Sequence, residues 1–520
     1  MRPAPLLASA TLLPGMTFAL AARLNGYLTR WRYVVLAVLS AALFATTAAR
    51  AAQKPFWHDE IYTILFSGLP SVTTMWTAAA DGMDLAPPLN ALATHALRPL
   101  TGVGPVATRL PPMIGYWAMT ILLFVMVRRR AGATLALAGA LIPFWTAAYR
   151  YSYEARGYGL MLGLFALTLY AWSEAARDNR RWLHLPLLAC AVAASLWNHY
   201  YAIVTFVPIA AGEIARLLTR RRPDWPLWGA AAIGGLAALP LYPLAAAAAS
   251  QSSTFWAPAH LSDIREAYRF VIHSLADRGP AMAGTIVAAV ALACRWLGRR
   301  RHDAVAWRLP AHEVAAGLTT LAIPLFGVLL GVYVTGTFTP RYGLPLVVGA
   351  GLVVPIGLRW LTPAGGLAEV LLAALVSANF GMSVYQSFRH LPYPDPVAAR
   401  PLLAKAAQDP GPIAVAGRLQ FLQYWYYTPP DLRGRLVYLA DPDAAVRFLG
   451  TDTIDRGYLA LARWTPVPVH PYADFVHRHD AFRVYTGGSG WLLERLRRER
   501  WALDLLGREP GGELYAARRR

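Results

Sequence analysis

The chain has 520 residues, 56% hydrophobic and 15% charged, with 18 Trp and a mean hydropathy of +0.36, which excludes an ordinary soluble domain and points to an α-helical polytopic membrane protein. Its formal charge of +20, from 49 Lys and Arg against 29 Asp and Glu, would suit nucleic acid if it formed one stripe. The basic residues fall instead in short clusters between apolar runs, as in a protein oriented in a bilayer, and this argues against a nucleic-acid partner.

Residues 1–31 form a cytoplasmic or leader-like segment whose apolar stretch is broken by Pro14 and Gly15. Apolar runs able to cross a bilayer follow at 32–51, 109–127, 132–149, 157–174, 182–198, 200–218, 226–249, 280–297, 313–335, 342–360 and 366–386, about eleven spans within a transmembrane domain of residues 32–386. With the amino terminus cytoplasmic, alternation places Arg128–Arg130, "RDNRR" (177–181), "TRRRP" (219–223), the basic run 295–308 and Arg359 all inside. Counting 88–100 as a span would invert every later cluster, so 52–108 reads as one large outer loop with surface-lying helices near 70–80 and 88–100. Cys190 and Cys294 sit within apolar runs, without metal-ligand spacing, and read as packing residues. After residue 387 the chain alternates strand-like pieces ("PIAVAG", "RLVYLA", "FRVYTG", "GELYAAR") with helical ones ("LQFLQYWYY", "DAAVRFLG", "WLLERLRRERWALDLL"), the pattern of a small α/β domain over 390–520, outside the membrane. The aromatics of 419–430 could stack on sugars, but packing in a small core is the better account.

The same walk gathers the polar residues able to do chemistry on one side. "FWHDEIYT" puts Asp59 and Glu60 just beyond the first span, with His58 and Tyr62 beside them. A partly desolvated carboxylate there can act as general base towards an alcohol, whereas a bland loop pair would be solvated. "YSYEARGY" adds Glu154, Arg156 and Tyr158 at another outer lip, where an arginine can grip a phosphate with two prongs or simply pair with the neighbouring glutamate. "WNHYY" supplies His199 and Tyr200, and "TPRYG" supplies Arg341 and Tyr342. A turn histidine and a snorkelling arginine are the plain accounts of these two. Taken together, two acids, two arginines and a histidine on one membrane face suit a substrate with an isoprenoid tail, a phosphate at head-group level and a sugar beyond. An outward-facing site lacks nucleotide sugars, so a lipid-phosphate sugar is the sensible donor.

The ordered set "WHDEIYT", "PPLNALATHAL" with "ATRLPPMIGYWAM", "YSYEARGYGLMLGLFALTLY", "WNHYYAIVTF" and "FTPRYGLPLV" resembles the GT-C integral-membrane glycosyltransferases, over about residues 50–350. The resemblance is to the bacterial branch related to protein O-mannosyltransferases and to lipid A aminoarabinose and galacturonic acid transferases. It implies an enzyme of the bacterial inner or plasma membrane that moves a hexose or pentose from a polyprenyl-phosphate donor to an extracytoplasmic glycan, lipid or protein acceptor. By the same resemblance Asp59 is the principal catalytic carboxylate, Glu60 assists or orients, Arg156 and Arg341 hold the donor phosphate, and His199 and Tyr342 line the pocket with Pro87 and Pro88. Some relatives carry a divalent metal near the site; nothing in this chain requires one, and no other cofactor is implied. Relatives commonly have His or Lys before the Pro-Pro pair, whereas Ala86 stands here, leaving Asp81, Asp84 or His95 to compensate. The competing reading, a transporter or flippase of lipid-linked glycans, predicts ionisable residues deep in the spans and often internal repeats.

Overall fold

A computed structural model describes residues 9–250, 252–272, 309–361, 366–389, 393, 395–397, 400–406, 408 and 410–520. Among these, seven helices are long and apolar enough to cross a membrane, or eight if the bent pair Ala311–Leu321 and Ile323–Thr335 counts as one span. The expected span 280–297, Cys294 and the whole basic run 295–308 lie outside the described residues.

The expected spans 109–127 and 132–149 are joined in one helical run, Leu110–Leu141, interrupted at Gly132 with φ 83° and ψ 174°. This residue reverses the chain. Tyr116 and Phe144 have ring centroids 5.3 Å apart, whereas a straight helix would separate them by roughly 40 Å. Only glycine takes that φ without a Cβ clash. The amide groups freed at the reversal are capped by Asn25, from the helix Ser9–Arg30, whose Oδ1 accepts from Ala133 N at 2.7 Å. The clusters beside this turn are neutralised in pairs, Arg129 with Glu174 and Arg130 with Glu313. The segment 182–198 is the helix Arg181–Asn198; its Cys190 is exposed on the bundle's outer surface, not packed as the sequence suggested.

Between the first span (Arg32–Gln53) and Leu110 the chain forms three helices of nine residues or more, His58–Ser67 (α1), Val72–Ala80 (α2) and Leu89–Thr101 (α3), and the single turn Pro105–Thr108, in the region expected to lie on the surface. At 13 residues α3 is too short to span. It packs on α1 through His95, whose Nδ1 lies 3.0 Å from Ser67 O, and Arg98, which donates to Ile64 O at 3.0 Å. His95 is thereby spent on packing, and Asp81 closes α2 as its exposed C-cap.

The C-terminal domain is a six-stranded sheet of order β3-β2-β1-β4-β6-β5, built from β1 Ile413–Val415, β2 Leu436–Ala440, β3 Val469–Pro471, β4 Ala481–Tyr485, β5 Ala502–Glu509 and β6 Gly512–Arg518. The first four pair in parallel and the last two antiparallel. One expectation fails: "WLLERLRRERWALDLL" is a helix only over Leu492–Arg498, and its second half is β5. Arg500 takes a positive φ of 62° that ends the helix, and the turn at Gly511 (φ 81°) folds β6 back along the apolar strand. Side chains alternate across the sheet as period two requires. Ala414, Val437, Leu439, Phe482 and Val484 form one core. Ile413, Val415, Leu436, Tyr438 and Tyr485 form another that is continuous with Phe56, Ile61, Tyr62 and Phe66 of the outer loop. The aromatic segment 419–430 serves this second core, with Phe421, Leu422, Tyr424 and Trp425 buried. Two bonds fix the docking: Phe56 N donates to Tyr427 Oη at 2.6 Å, and Gln423 Nε2 donates to Phe56 O at 2.8 Å.

Within this domain Asp455 is fully buried and accepts from Trp491 Nε1 and Asp441 N, each at 3.0 Å. Burial outweighs these bonds and pushes its carboxyl from 3.8 up to about 6. The folded state therefore binds the proton more tightly than the unfolded chain, and stability falls as pH rises from about 4 to 6, then stays level. The loss is on the order of 2–3 kcal/mol. Asp455→Asn is expected to gain on the wild type across that window in thermal melts of the full chain; parallel melting curves from pH 4 to 7 would refute this.

Candidate active site

Helix α1 starts at His58, after an extended Trp57, so Asp59 and Glu60 fall in its first turn, where the helix dipole favours anions. Successive helical side chains diverge by about 100°, and the two carboxylates have different fates.

Glu60 points inward with no exposure and meets Arg109, equally buried. Arg109 Nε donates to Oε1 at 2.7 Å and Nη2 to Oε2 at 2.8 Å, while Nη1 donates to the carbonyls of Ala51 and Lys54 at 2.6 and 2.9 Å. Glu60 Oε1 also accepts from Ala155 N at 2.7 Å. Both its oxygens are engaged, and Glu60 ties the first span, α1, the head of Leu110–Leu141 and the 154–157 loop together beneath Asp59. Glu154 is paired with Lys54 and not with Arg156: it lies buried 3.3 Å from Lys54 Nζ, which is 3.6 Å from Glu60. Burial pushes the Glu154 carboxyl up, against the pull of Lys54.

Asp59 turns the other way and stays 19% exposed at its side chain. His58 Nδ1 lies 3.0 Å from Oδ1, while Arg156 Nε and Arg341 Nη1 flank Oδ2 at 3.9 and 3.8 Å. These last two separations are too long for hydrogen bonds, and Arg341 Nε is buried with no hydrogen-bond partner among the described residues. Burial alone would push the Asp59 carboxyl up. The Arg156 guanidinium, the His58 hydrogen bond and Arg341 outweigh it and hold the carboxyl well below the usual carboxylate range.

The supports of the two arginines are local. Asn198 Nδ2 donates to Gly157 O at 2.8 Å and latches the Arg156 loop to the helix that ends beside His199; a Cβ on Gly157 would come within 2.9 Å of Asn198 Oδ1. Arg341 stands over the rings of Tyr158 and Trp256, 5.5 and 5.6 Å from their centroids. Trp256 arrives on a strap held by Phe338 N to Ala257 O and Ala259 N to Gly336 O, each at 3.1 Å. His199 packs its ring against Tyr342 and Tyr158 at 4.7 and 5.6 Å, and its Nδ1 accepts from Tyr201 N at 3.1 Å. Burial, with Arg156 and Arg341 adding, holds its imidazole at about 3, so His199 is a neutral donor through Nε2.

The expected residues Asp59, His58, Arg156, Tyr158, His199, Arg341 and Tyr342 therefore gather in one cluster. Asp84 joins them: burial pushes its carboxyl up while Arg156 and the Ala86 N–H pull it down and Asp59 raises it further. Tyr200 faces the Asp84 side, its hydroxyl buried without a hydrogen-bond partner among the described residues. Tyr62 packs behind His58, its ring tilted against the imidazole at 5.1 Å. Pro87 and Pro88 are buried at the head of α3 and shape the loop that delivers Asp84. Arg109, Trp256 and Lys54 were not singled out from sequence; the one available signal was Arg109 itself, a charge at the head of an apolar span that must find a buried partner. Among the described residues no group of three or more His, Cys, Asp and Glu side chains is disposed to hold a metal ion.

Residues 86–245 match the family model of dolichyl-phosphate-mannose-protein mannosyltransferases. The fold is similar to that of ArnT from Cupriavidus metallidurans in the apo state, with a TM-score of 0.55 at 12% identity over 94% of this chain and 98% of that one. It is similar also to the same protein bound to undecaprenyl phosphate, with a TM-score of 0.54 at 13% identity and the same coverage. The arabinosyltransferase EmbB from Mycobacterium smegmatis aligns at 16% identity over 63% of this chain and 30% of its own, with a TM-score of 0.37. A search of curated protein sequences finds no significant match.

Proposed function

We propose that this chain, which has the fold of the GT-C glycosyltransferases, moves a sugar from a polyprenyl-phosphate donor to a hydroxyl of an extracytoplasmic glycan, lipid or protein, in a bacterial inner or plasma membrane. The observation that carries the reading is a partly exposed carboxylate, Asp59, flanked by two arginines that approach without bonding it, at one end of an apolar bundle. The undecaprenyl phosphate bound by ArnT supports a lipid phosphate as the occupant of such an end.

Asp59 takes the proton of the acceptor hydroxyl as its oxygen attacks the anomeric carbon. The bond from that carbon to the phosphate oxygen breaks, and the polyprenyl phosphate leaves with the electron pair, its charge met by Arg156 and Arg341. Attack from the face opposite the phosphate inverts the anomeric centre. Before the donor binds, the two guanidiniums make Asp59 a poor base. A phosphate drawn between them neutralises that pull, and the carboxylate recovers basicity when it is needed. Neutral His199 and the tyrosines Tyr158 and Tyr342 offer hydrogen bonds without adding charge.

Membranes holding the wild-type protein are expected to transfer labelled sugar from at least one member of a panel of polyprenyl-phosphate sugars, and failure with every donor would refute the reading. Arg341→Gln is expected to raise the donor KM by roughly 10–100-fold, the worth of one charged contact to phosphate; an unchanged KM would remove Arg341 from the donor site.

A further inference from the structure

We propose that Tyr458, in the C-terminal domain, is a positioning residue for the base: its ring holds the His58 imidazole in the orientation that fixes the Asp59 carboxylate. The proposal rests on the reading of Asp59 as the base of glycosyl transfer.

The chain of contacts runs from the sheet to the carboxylate. Asp59 receives one short hydrogen bond from a side chain, His58 Nδ1 at 3.0 Å, since both arginines stand nearly 4 Å away. The plane of the carboxylate is thus set by where that imidazole points. The imidazole is 5% exposed, and its other nitrogen, Nε2, is buried with no hydrogen-bond partner among the described residues. Held by one polar bond, the ring could swing about it, and packing has to remove that freedom. Tyr62 stands 5.1 Å from the ring on one side and Tyr458 5.6 Å on another. Tyr62 belongs to the same helix and moves with it, so the external constraint is Tyr458.

Tyr458 is itself rigidly placed. It has no exposure, packs against Tyr438 at 4.6 Å and Phe421 at 5.4 Å, and donates through its hydroxyl to Arg418 O at 2.7 Å. Arg418 N in turn bonds Ser489 O at 3.2 Å, linking the loops after β1 and β4. The preceding residue is glycine, and a Cβ there would stand 3.1 Å from Tyr62 Oη, so the helix carrying Tyr458 lies directly against the Tyr62 hydroxyl. The C-terminal domain therefore acts on the chemistry itself, beyond any part in acceptor binding. A shift of about 1 Å in a reacting group can cost 10²-fold in rate.

The experiment is a double-mutant cycle on the full chain, with sugar transfer as the reaction and kcat and both KM values as readouts. Tyr458→Ala, and Tyr458→Leu, which fills the space without a ring, are expected to lower kcat by about 10–100-fold with donor and acceptor KM held within about twofold. Tyr458→Phe, which keeps the ring, is expected to stay within about threefold. His58→Ala is expected to lose as much as Tyr458→Ala, and the double variant no more than either, because the two act in series. Phe482→Ala, a ring buried in the core on the far face of the sheet, controls for general loosening of the domain and is expected to leave kcat near wild type. A raised acceptor KM with kcat retained would overturn the proposal and make Tyr458 a wall of the acceptor site. Multiplying losses in the double variant would overturn it too. Absence of transfer by the wild type would overturn the glycosyl-transfer reading, and the proposal with it.

Discussion

Asp59→Asn is expected to lower the turnover of sugar transfer by about 10²–10⁴-fold, the usual worth of a positioned general base, while the protein folds and accumulates as the wild type does. The substitution preserves size and still offers His58 an oxygen, so the buried frame beneath it, built on Glu60 and Arg109, is untouched. What disappears is the one acidic side chain in the cluster that is flanked by both arginines. Glu60 and Glu154 are buried in ion pairs, and burial pushes the carboxyl of Asp84 up. Donor affinity should change little or rise slightly, because a carboxylate no longer competes with the phosphate for Arg156 and Arg341. Transfer at the wild-type rate by Asp59→Asn would move the base elsewhere, and Asp84 would be the next candidate. The acid limb of kcat/KM tests the same electrostatics. It reports the free enzyme, in which the cations hold Asp59 below the ordinary carboxylate range, so activity should persist to lower pH than for an isolated aspartate. Arg156→Gln removes the largest of those favourable charges and is expected to move that limb upward; a limb that stays in place would separate Arg156 from Asp59.

Much of this site was legible because a membrane protein writes its polar residues sparingly. Asp59, Arg156, His199 and Arg341 stand out at the ends of apolar runs, and the alternation of basic clusters put them on one side before any contact was known. Contacts across long sequence separations were not legible. Nothing local to Glu60 distinguishes it from Asp59; only the approach of Arg109, from the head of another span, decides which carboxylate is buried. Trp256 reaches Arg341 through a strap whose pairing at Pro258 and Thr337 leaves no periodic signature. The hairpin at Gly132 was expected as two spans, and its glycine marks the reversal only once the φ is known. The error at 491–506 has a similar origin: "WALDLL" carries apolar residues at spacings a helix or an edge strand can both use, and pairing with β6 settles the choice.

The second large effect concerns stability. Arg109→Leu is expected to cost about 3–5 kcal/mol, as breaking a fully buried ion pair does when one charge is left behind, and to deplete the folded protein whatever substrate is present. Glu60 would keep its bond from Ala155 N and the more distant Lys54, but the carbonyls of Ala51 and Lys54 would lose their shared donor, so three chain segments would come apart at one point. Glu60→Gln leaves the guanidinium buried with a neutral partner and should fall in the same direction by a smaller amount. Pairing Glu60→Leu with Arg109→Leu should not restore the wild type, since the arginine also serves two backbone acceptors that leucine cannot satisfy. Melting temperature and monodispersity in detergent measure all three variants, with Asp59→Asn beside them as the chemically dead and structurally sound reference. A Glu60→Gln protein that melts like the wild type yet transfers no sugar would reverse the division of labour between the two adjacent carboxylates, placing the chemistry on Glu60.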